Sequence, residues 1–287
     1  MQALTTAMPA TKEVSAVTTM VRDAVARHQD HAHDVDHDYG VGSPHLTHPQ
    51  LRSQIVARLG ELVRERFAAT GSARVLEIGA GHGSFTDHLL AFGAEVTATE
   101  MSRQSARHLS TRYAANPRAR VVHDPDGEAP TRLGEQFDLV VACSVLHHIP
   151  DYLAAIRSWT AATAPGGAFF SVADPLLYSE VGTLAHRAQW AAHYAWRLGR
   201  PGQLTAARNL LRRTRHGASV EHESDMVEYH VLRDGVDHVA LTAQLREAYT
   251  DVDLWQYWST PSPTLQAIGE RVGLLTNFAV TARGRVA

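Results

Sequence analysis

The sequence predicts an α/β protein built on a doubly wound, mostly parallel sheet. Predicted strands and helices alternate from Ala73 onward, which is the order that gives parallel strands with helices on both faces. The run Phe137–Ala142 is almost entirely apolar, as in a strand that is buried on both faces. A glycine-rich segment directly follows the first predicted strand, at the point where such a sheet turns into its first helix.

The alternating elements begin with a helix that Thr47 is expected to cap and that carries Pro49 in its first turn. This helix is expected to run to about Ala69, with Leu51, Ile55, Leu59, Leu62 and Val63 on one apolar face. Pro165-Gly166-Gly167 reads as a turn before the fifth strand. The predicted strands are Arg74–Ile78, Glu95–Glu100, Arg120–His123, Phe137–Ala142 and Ala168–Val172, and the helices between them are Phe85–Phe92, Ser102–Tyr113 and Asp151–Ala164.

After the fifth strand the alternation stops and helical patterns dominate. Helices are expected at Val181–Leu198, Leu204–Arg215 and around Val236–Tyr249, before two closing strands at Asp251–Trp258 and Asn277–Arg283. The predicted organisation is therefore a flexible N-terminal segment or lid over 1–48, a core over 49–175, a helical cap over 176–248 inserted after strand 5, and the last two strands of a seven-stranded sheet over 249–287.

Composition limits the classes of partner. The chain has 287 residues, 44% of them hydrophobic and 20% charged, which is ordinary for a globular protein. Its formal net charge of −3 provides no general attraction for nucleic acid or anionic lipid. Cys143 is the single cysteine, so an intrachain disulfide is excluded and a cytoplasmic location is expected. No apolar run reaches the length of a membrane span, and no signal-peptide pattern opens the chain.

The segment Val75–Gly83 reads V-L-E-I-G-A-G-H-G, with glycines at 79, 81 and 83. Glycines at this density allow tight turns and let a flat ligand approach the backbone closely. The spacing differs from the dinucleotide pattern G-x-G-x-x-G, because Ser84 stands where its last glycine would be. Glu77 precedes the first glycine by two residues, and a carboxylate there would repel a pyrophosphate but suit a cationic ligand.

This segment resembles motif I of class I S-adenosylmethionine-dependent methyltransferases, which reads hydrophobic-hydrophobic-Glu/Asp-hydrophobic-Gly-x-Gly-x-Gly. S-adenosylmethionine (SAM) carries an ammonium and a sulfonium and no phosphate, which agrees with the acid and the glycine spacing. The resemblance extends over about Val75–Val172 and, more loosely, over the last two strands. It implies a methyltransferase that acts on small molecules and uses SAM as its cofactor. The fold it implies is Rossmann-like and ends in an antiparallel strand pair.

The resemblance also implies which residues meet SAM. The glycine turn should pass under its methionine part, Glu77 should hold its cationic end, and Cys143 should contact it through backbone and size, not as a nucleophile. Glu100 follows Gly79 by 21 residues (100 − 79), close to the spacing of about 20 at which an acid accepts from ribose hydroxyls. The full expected set is Tyr39, Glu77, Gly79, Ala80, Gly81, Gly83, Glu100, Met101, Asp124, Pro125 and Cys143, with Asp126 competing with Asp124 for the adenine amino group. The alternative is a Rossmann-like domain that binds another nucleotide or none.

Histidines are the candidate catalytic residues. His147 and His148 follow the fourth strand in the text L-H-H-I-P-D, which resembles the family's segment after that strand. Imidazole titrates near neutral pH, so either ring is a candidate general base, and His230 is a third. The alternative reading is that the first two cap the next helix or pack against the cofactor.

The N-terminal run from His28 to Asp38 is dense in histidine and aspartate. Such side chains can bind a metal, but no second cluster completes the set, so we expect a solvated or lid segment and no metal. Tyr39, with its neighbours Gly40-Val41-Gly42, is expected to belong to a lid that closes over SAM.

Aromatic residues of the predicted cap are candidates for an acceptor pocket. Trp190 and Tyr194 share one helical face, and Tyr229 and Arg233 come later in the same insertion. Packing of the cap on the sheet is the alternative explanation, as it is for Trp255 and Tyr257 on one side of the sixth strand.

The resemblance implies SAM-dependent methyl transfer, and the aromatic-bearing cap favours a small, hydrophobic or aromatic, natural-product-like acceptor of secondary metabolism. O-methylation is the first expectation, and C- or N-methylation is the alternative. A cyclase-like or regulatory protein that binds SAM without transferring methyl is the other class of answer. A small-molecule acceptor is the expected partner, with neither nucleic acid nor membrane, and a homo-oligomer is left open.

Overall fold

The computed structural model describes residues 43–197, 208, 211–212, 215 and 235–287. Among them, seven strands form one sheet in the order β3-β2-β1-β4-β5-β7-β6. Strands β1 to β5 are parallel, and β7 lies antiparallel between β5 and β6. The predicted α/β class and mostly parallel sheet are confirmed. The strands are β1 Arg74–Ile78, β2 Glu95–Glu100, β3 Ala119–His123, β4 Phe137–Cys143, β5 Thr163–Pro175, β6 Tyr249–Tyr257 and β7 Asn277–Arg285.

Helices cover both faces of the sheet and produce two separate apolar cores. On one face, Ile55 and Leu59 of the first long helix pack with Leu89 and Leu109. On the other face, Trp159 packs with residues of β4, β5 and β7. The helices are α1 Pro44–Thr47, α2 Pro49–Thr70, α3 Thr86–Ala91, α4 Arg103–Arg112, α5 Ala129–Leu133, α6 Tyr152–Ala162, α7 Thr183–Arg197, α8 His238–Ala248 and α9 Pro263–Arg271, with a short 3₁₀ turn at Leu146–His148.

The N-terminal end of α2 differs from the expectation. Thr47 does not cap this helix, because it ends the short helix α1 and its hydroxyl donates to the carbonyl of Ser43. His48 is the N-cap, and its Nδ1 accepts from the backbone N–H of Leu51 at 3.4 Å. The five apolar residues that were expected on one face of α2 are all buried.

Strand β5 is longer than predicted at both ends. It begins at Thr163 and includes Pro165-Gly166-Gly167, which the sequence indicates as a turn. Gly166 has a φ of +73°, and the register against β4 shifts in this part of the strand, so an irregular strand replaces the turn. Thr163 holds this end in place through a hydroxyl bond to the carbonyl of Trp159 at 2.9 Å.

Two helices near the C-terminus complete the layers. Helix α8, which the sequence groups with the cap, contacts α6, β6 and β7 and buries Leu241 and Leu245 in the second core. Helix α9 lies between β6 and β7 and was not predicted. Ser262 caps it by accepting from the N–H of Leu265 at 3.4 Å, and Pro263 occupies its first position.

Candidate active site

The carboxyl ends of the parallel strands meet at one edge of the sheet, and the glycine turn lies there. Gly79, Gly81 and Gly83 have φ values of +65°, +57° and +88°, a conformation that side chains with a Cβ rarely adopt. A Cβ on Gly79 would lie 2.8 Å from Cγ2 of Val145. The backbone of Ala80 donates to the carbonyl of Thr99 at 2.9 Å, which ties the turn to β2. The turn therefore needs glycine both for its conformation and for its contact with the segment after β4.

Glu100 ends β2 beneath this turn. Its Oε2 accepts from the N–H of Gly81 at 2.8 Å, and its Oε1 accepts from the N–H of Ser102 at 2.9 Å. The side chain is buried, with 5% exposure. Each carboxylate oxygen can accept more than one hydrogen bond, so this arrangement organises the turn and still suits donors such as ribose hydroxyls.

Glu77 is the penultimate residue of β1, the strand that precedes the turn, and is 2% exposed. The hydroxyl of Thr86 donates to its Oε2 at 2.6 Å. Burial raises the pKa of Glu77 to about 8, and the Thr86 bond opposes that rise. The carboxyl group is therefore largely protonated near pH 7, and a cation placed beside it would favour the ionised form.

Asp124 follows β3 and makes structural contacts that the sequence did not predict. Its Oδ1 accepts from the N–H of Ala129 at 2.9 Å and pairs with Arg132 at 2.8 Å. Arg132 also bonds to both oxygens of Asp126. Burial raises the pKa of Asp124 to about 6. One arginine is thus shared by the two acids, and the adenine contact expected of Asp124 or Asp126 stays a prediction.

The single cysteine, Cys143, is the last residue of β4. Burial, and next the neighbouring Glu77 and Asp174 carboxyls, raise the pKa of the Cys143 thiol well above its usual range. A thiol held in its protonated form is a poor nucleophile, which agrees with the contact role expected for it. Ser144 follows with a φ of +63°, an uncommon conformation for a residue other than glycine.

His147 forms an ion-pair-type contact with Asp174, a residue that sequence reasoning missed. The imidazole Nδ1 and Oδ1 of Asp174 are 2.8 Å apart, and the backbone N–H of His147 donates to the same oxygen at 3.1 Å. Ser171 donates its hydroxyl to Oδ2 of Asp174 at 3.0 Å. Asp174 is completely buried, and the rings of His147 and His148 lie 4.0 Å apart between centroids.

Two further side chains with rings, Tyr257 and His45, lie near Asp174. The backbone N–H of Ala173 donates to the hydroxyl of Tyr257 at 3.1 Å, and Tyr257 stacks on Trp255 with 4.5 Å between ring centroids. His45, on α1, stacks against Phe85, and burial lowers its pKa to about 4 against the opposing effect of the Asp174 charge. A segment that the sequence assigned to the lid thus supplies a residue of this edge.

Several expected site residues lie outside the described part of the chain. These are Tyr39, Tyr229, His230, Arg233 and the N-terminal run of histidines and aspartates. Trp190 and Tyr194 belong to α7, but their side chains are not among those described. Within the described residues, no three His, Cys, Asp or Glu side chains are grouped closely enough to hold a metal ion. Of the helices described, none combines the length and the apolar character needed to cross a membrane.

The chemistry of this edge fits SAM. Left-handed glycines bring bare backbone to the surface of the turn, and the buried acids Glu77 and Glu100 flank it. A positively charged ligand favours the ionised form of Glu77, and vicinal hydroxyls can donate to Glu100, whereas a pyrophosphate supplies neither a positive charge nor these donors. The fold and this site together agree with the Rossmann-like, class I methyltransferase that the sequence resembles.

Comparison with known proteins supports this class. Residues 76–169 match the family model described as a methyltransferase domain. The chain is 32% identical over 115 residues to the ubiquinone biosynthesis O-methyltransferase of Xanthomonas campestris pv. campestris (strain B100), covering 38% of this chain and 46% of that protein. It is 34% identical over 98 residues to the enzyme of the same name from Methylobacterium sp. (strain 4-46), covering 34% and 39%. The chain thus spans less than half the length of the curated relatives it matches.

A solved structure shares the fold. The N-methyltransferase NodS from Bradyrhizobium japonicum WM9, in complex with S-adenosyl-L-homocysteine, aligns with a TM-score of 0.50 at 16% identity, covering 91% of this chain and 98% of that one. Over residues 76–169 the chain is therefore similar to methyltransferase domains, and it shares the fold of an N-methyltransferase that was crystallised with S-adenosyl-L-homocysteine.

Proposed function

We propose that this protein transfers the methyl group of SAM to a small-molecule acceptor. The observation that carries the proposal is the pair of buried carboxyls, Glu77 and Glu100, around a glycine turn inside the matched methyltransferase domain. When bound, SAM supplies an electrophilic methyl group on a positively charged sulfur. The protein then has to hold cofactor and acceptor in line, because alignment contributes most of the rate when the methyl group is already activated.

Each cofactor residue has a proposed role. The backbone of Gly79, Ala80, Gly81 and Gly83 would support the methionine part, and Glu77 would face its cationic end. Glu100 would accept from the ribose hydroxyls. Met101 and Pro125 would flank the adenine, Asp124 would accept from its amino group, and Cys143 and Tyr39 would contact the cofactor from the other side.

The acceptor is proposed to be hydrophobic or aromatic, with oxygen as the first choice of methylated atom. The names of the curated relatives, O-methyltransferases of ubiquinone biosynthesis, support an oxygen acceptor. Trp190, Tyr194, Tyr229 and Arg233 remain the proposed acceptor contacts, and an absence of charge-driven attraction agrees with an uncharged partner.

Two measurements test this function. Calorimetry should show binding of S-adenosylhomocysteine to the purified protein, with NAD and FAD as comparison ligands. Mass spectrometry should then show a gain of one methyl group on a member of a panel of phenols, carboxylates and prenylated aromatics. Binding of NAD or FAD in place of S-adenosylhomocysteine would contradict the cofactor assignment, and methylation of protein or tRNA alone would contradict the small-molecule acceptor.

A further inference from the structure

We propose that His147 is the general base of this site, and that a bulge at Ala173 places Asp174 to orient it. The acceptor then carries a dissociable O–H or N–H at the atom that is methylated. This inference rests on the proposed methyl transfer and adds to it the class of acceptor atom and the residue that takes its proton.

The bulge determines which way Asp174 faces. Along β5, Val172 pairs with Ala279 and Asp174 pairs with Phe278, so β5 advances two residues while β7 advances one. Ala173 is the extra residue, and its φ is +69°. In a regular strand, residues three apart lie on opposite faces, but here the bulge lets Asp174 reach the hydroxyl of Ser171 at 3.0 Å. Backbone strain and bulges of this kind occur preferentially next to active sites.

Asp174 holds one tautomer of His147. The ring Nδ1 lies 2.8 Å and the backbone N–H 3.1 Å from the same carboxylate oxygen. The backbone N–H of His147 donates to one oxygen of Asp174 and the hydroxyl of Ser171 donates to the other, so both oxygens accept, as those of an ionised carboxylate do. Such an acceptor favours a proton on Nδ1, which leaves the basic lone pair of the imidazole on Nε2.

The position of His147 suits proton removal at the methyl-transfer site. It lies in the 3₁₀ turn that follows β4, two residues after Val145. The side chain of Val145 is the closest neighbour that a Cβ on Gly79 would meet, so this turn is packed against the glycine turn. Two other groups at this edge, Cys143 and Tyr257, are poorly suited to the role. Burial raises the pKa of the Cys143 thiol and of the Tyr257 hydroxyl, which keeps both protonated.

The proposed step moves one proton to His147 and one methyl group to the acceptor. The acceptor O–H or N–H bond breaks, and its proton passes to Nε2 of His147. The freed electron pair of the heteroatom forms the new bond to the methyl carbon, while the electron pair of the carbon–sulfur bond remains on sulfur. The imidazolium formed on His147 is stabilised by the carboxylate of Asp174, as in other histidine–carboxylate pairs.

One test measures the ring itself. In ¹⁵N-labelled protein without cofactor, we expect His147 to be protonated on Nδ1 at neutral pH. In Asp174→Asn, we expect the Nε2-protonated form to appear, kcat for the methyl transfer to fall about 100-fold or more, and KM for the acceptor to change little. Asp138→Asn is the matched control, because Asp138 also accepts from a backbone N–H, that of Arg74 at 2.8 Å, at the opposite edge of the sheet. It should leave the tautomer and kcat unchanged.

A second pair of variants and the product complete the test. His147→Gln should lower kcat by a similar factor with the affinity for S-adenosylhomocysteine retained. His88→Gln, at a half-buried histidine of α3 whose ring contacts Arg52, should leave kcat unchanged. The product should carry its new methyl on oxygen or nitrogen. Wild-type kcat in both His147→Gln and Asp174→Asn, or a C-methylated product, would overturn the base assignment while cofactor binding still supports the proposed function. Failure of the wild-type protein to bind S-adenosylhomocysteine would instead overturn the proposed function and this inference together.

Discussion

At the scale of single residues, the two acids around the glycine turn are both buried but are satisfied differently. Glu100 accepts two backbone N–H bonds, at 2.8 and 2.9 Å, whereas the described bond to Glu77 is a single hydroxyl bond at 2.6 Å. Hydrogen bonds to a charged carboxylate offset the loss of water on burial. Glu77 has fewer of them, which explains why desolvation dominates its pKa.

The raised pKa of Glu77 has a consequence for stability. Its pKa is about 8 in the folded protein and near 4.5 in the unfolded chain. Between these values the folded protein holds a proton that the unfolded chain has lost, so this residue's contribution to the free energy of unfolding declines as pH rises through the window. Glu77→Gln cannot ionise, and we expect it to gain about 4 kcal/mol relative to wild type between pH 5 and pH 9. Urea unfolding of both proteins at pH 5, 7 and 9 measures this, and parallel pH profiles would contradict it.

Glu100 should be required for cofactor binding. In Glu100→Gln, the amide NH₂ faces a backbone N–H where a carboxylate oxygen now accepts, so one bond to the turn is lost. We expect the affinity for S-adenosylhomocysteine, measured by calorimetry, to fall about 10- to 100-fold, and the free energy of unfolding to fall by about 1 to 3 kcal/mol. Glu95→Gln is the control, because Glu95 is the exposed first residue of the same strand. Equal affinities for the two variants would remove Glu100 from the site.

At the scale of elements, the glycine turn is a shape that one methyl group should disturb. Gly79→Ala would force a left-handed residue to carry a Cβ and would place it 2.8 Å from Val145. We expect the free energy of unfolding to fall by about 1 to 3 kcal/mol and the affinity for S-adenosylhomocysteine to fall with it.

Gly71→Ala separates the backbone strain of a left-handed alanine from the steric contact with Val145. Gly71 caps α2 with a φ of +77°, but no atom lies within 4 Å of an added Cβ. It should therefore show the backbone strain alone, with unchanged affinity for S-adenosylhomocysteine. If Gly79→Ala lost stability without losing affinity, the turn would not be the cofactor contact.

The elements show how far sequence patterns reach. The strands and the buried face of α2 were predictable because alternation and helical spacing are local properties of the chain. Helical spacing likewise brings Ile156 and Trp159 to the buried face of α6. Helix α9 was not predicted, although Ser262 before Pro263 is a helix-start signal. The segment lies between two predicted strands and was read as their connection.

The role of Asp174 could not be read from the sequence in the same way. Its contact with His147 depends on a bulge whose central residue is an alanine in the left-handed conformation. Alanine has no preference for that conformation, so no local pattern indicates the bulge. The partners, His147 and Asp174, are 27 positions apart and meet only because β4 and β5 are neighbours.

At the scale of the whole molecule, topology determines where the site lies. The strand order runs from β1 outward to β2 and β3 on one side and to β4 and β5 on the other. A crevice opens at the carboxyl ends where the order reverses, between β1 and β4, and ligands of open α/β sheets bind there. Glu77 is the penultimate residue of β1, and Cys143 is the last residue of β4. The opposite edge, at the amino ends of the parallel strands, therefore lies away from the candidate site.

Near this opposite edge, Arg283 of β7 pairs with two glutamates of α2. Its Nε and Nη2 bond to the two oxygens of Glu65 at 3.0 and 3.2 Å, and Nη2 also reaches Glu61 at 3.3 Å. Arg283 and Glu65 are 218 positions apart, so this fork joins the first long helix to the last strand. The neighbouring carboxylates raise the pKa of Arg283, led by the bond to Glu65.

Replacing Arg283 should therefore weaken the fold without affecting the site. In Arg283→Met, we expect the free energy of unfolding, measured in urea, to fall by about 1 to 2 kcal/mol. The arginine side chain is only 22% exposed, and its loss leaves Glu61 and Glu65 next to each other without their shared cation. Arg58→Met removes an exposed pair with Glu61 within α2 and should cost less than about 0.5 kcal/mol. Both variants should bind S-adenosylhomocysteine as wild type does, because Arg283 pairs with Ala168 near the start of β5, at the far end of the sheet from Asp174. Equal losses of stability in the two variants would show that the fork adds nothing beyond an ordinary surface pair.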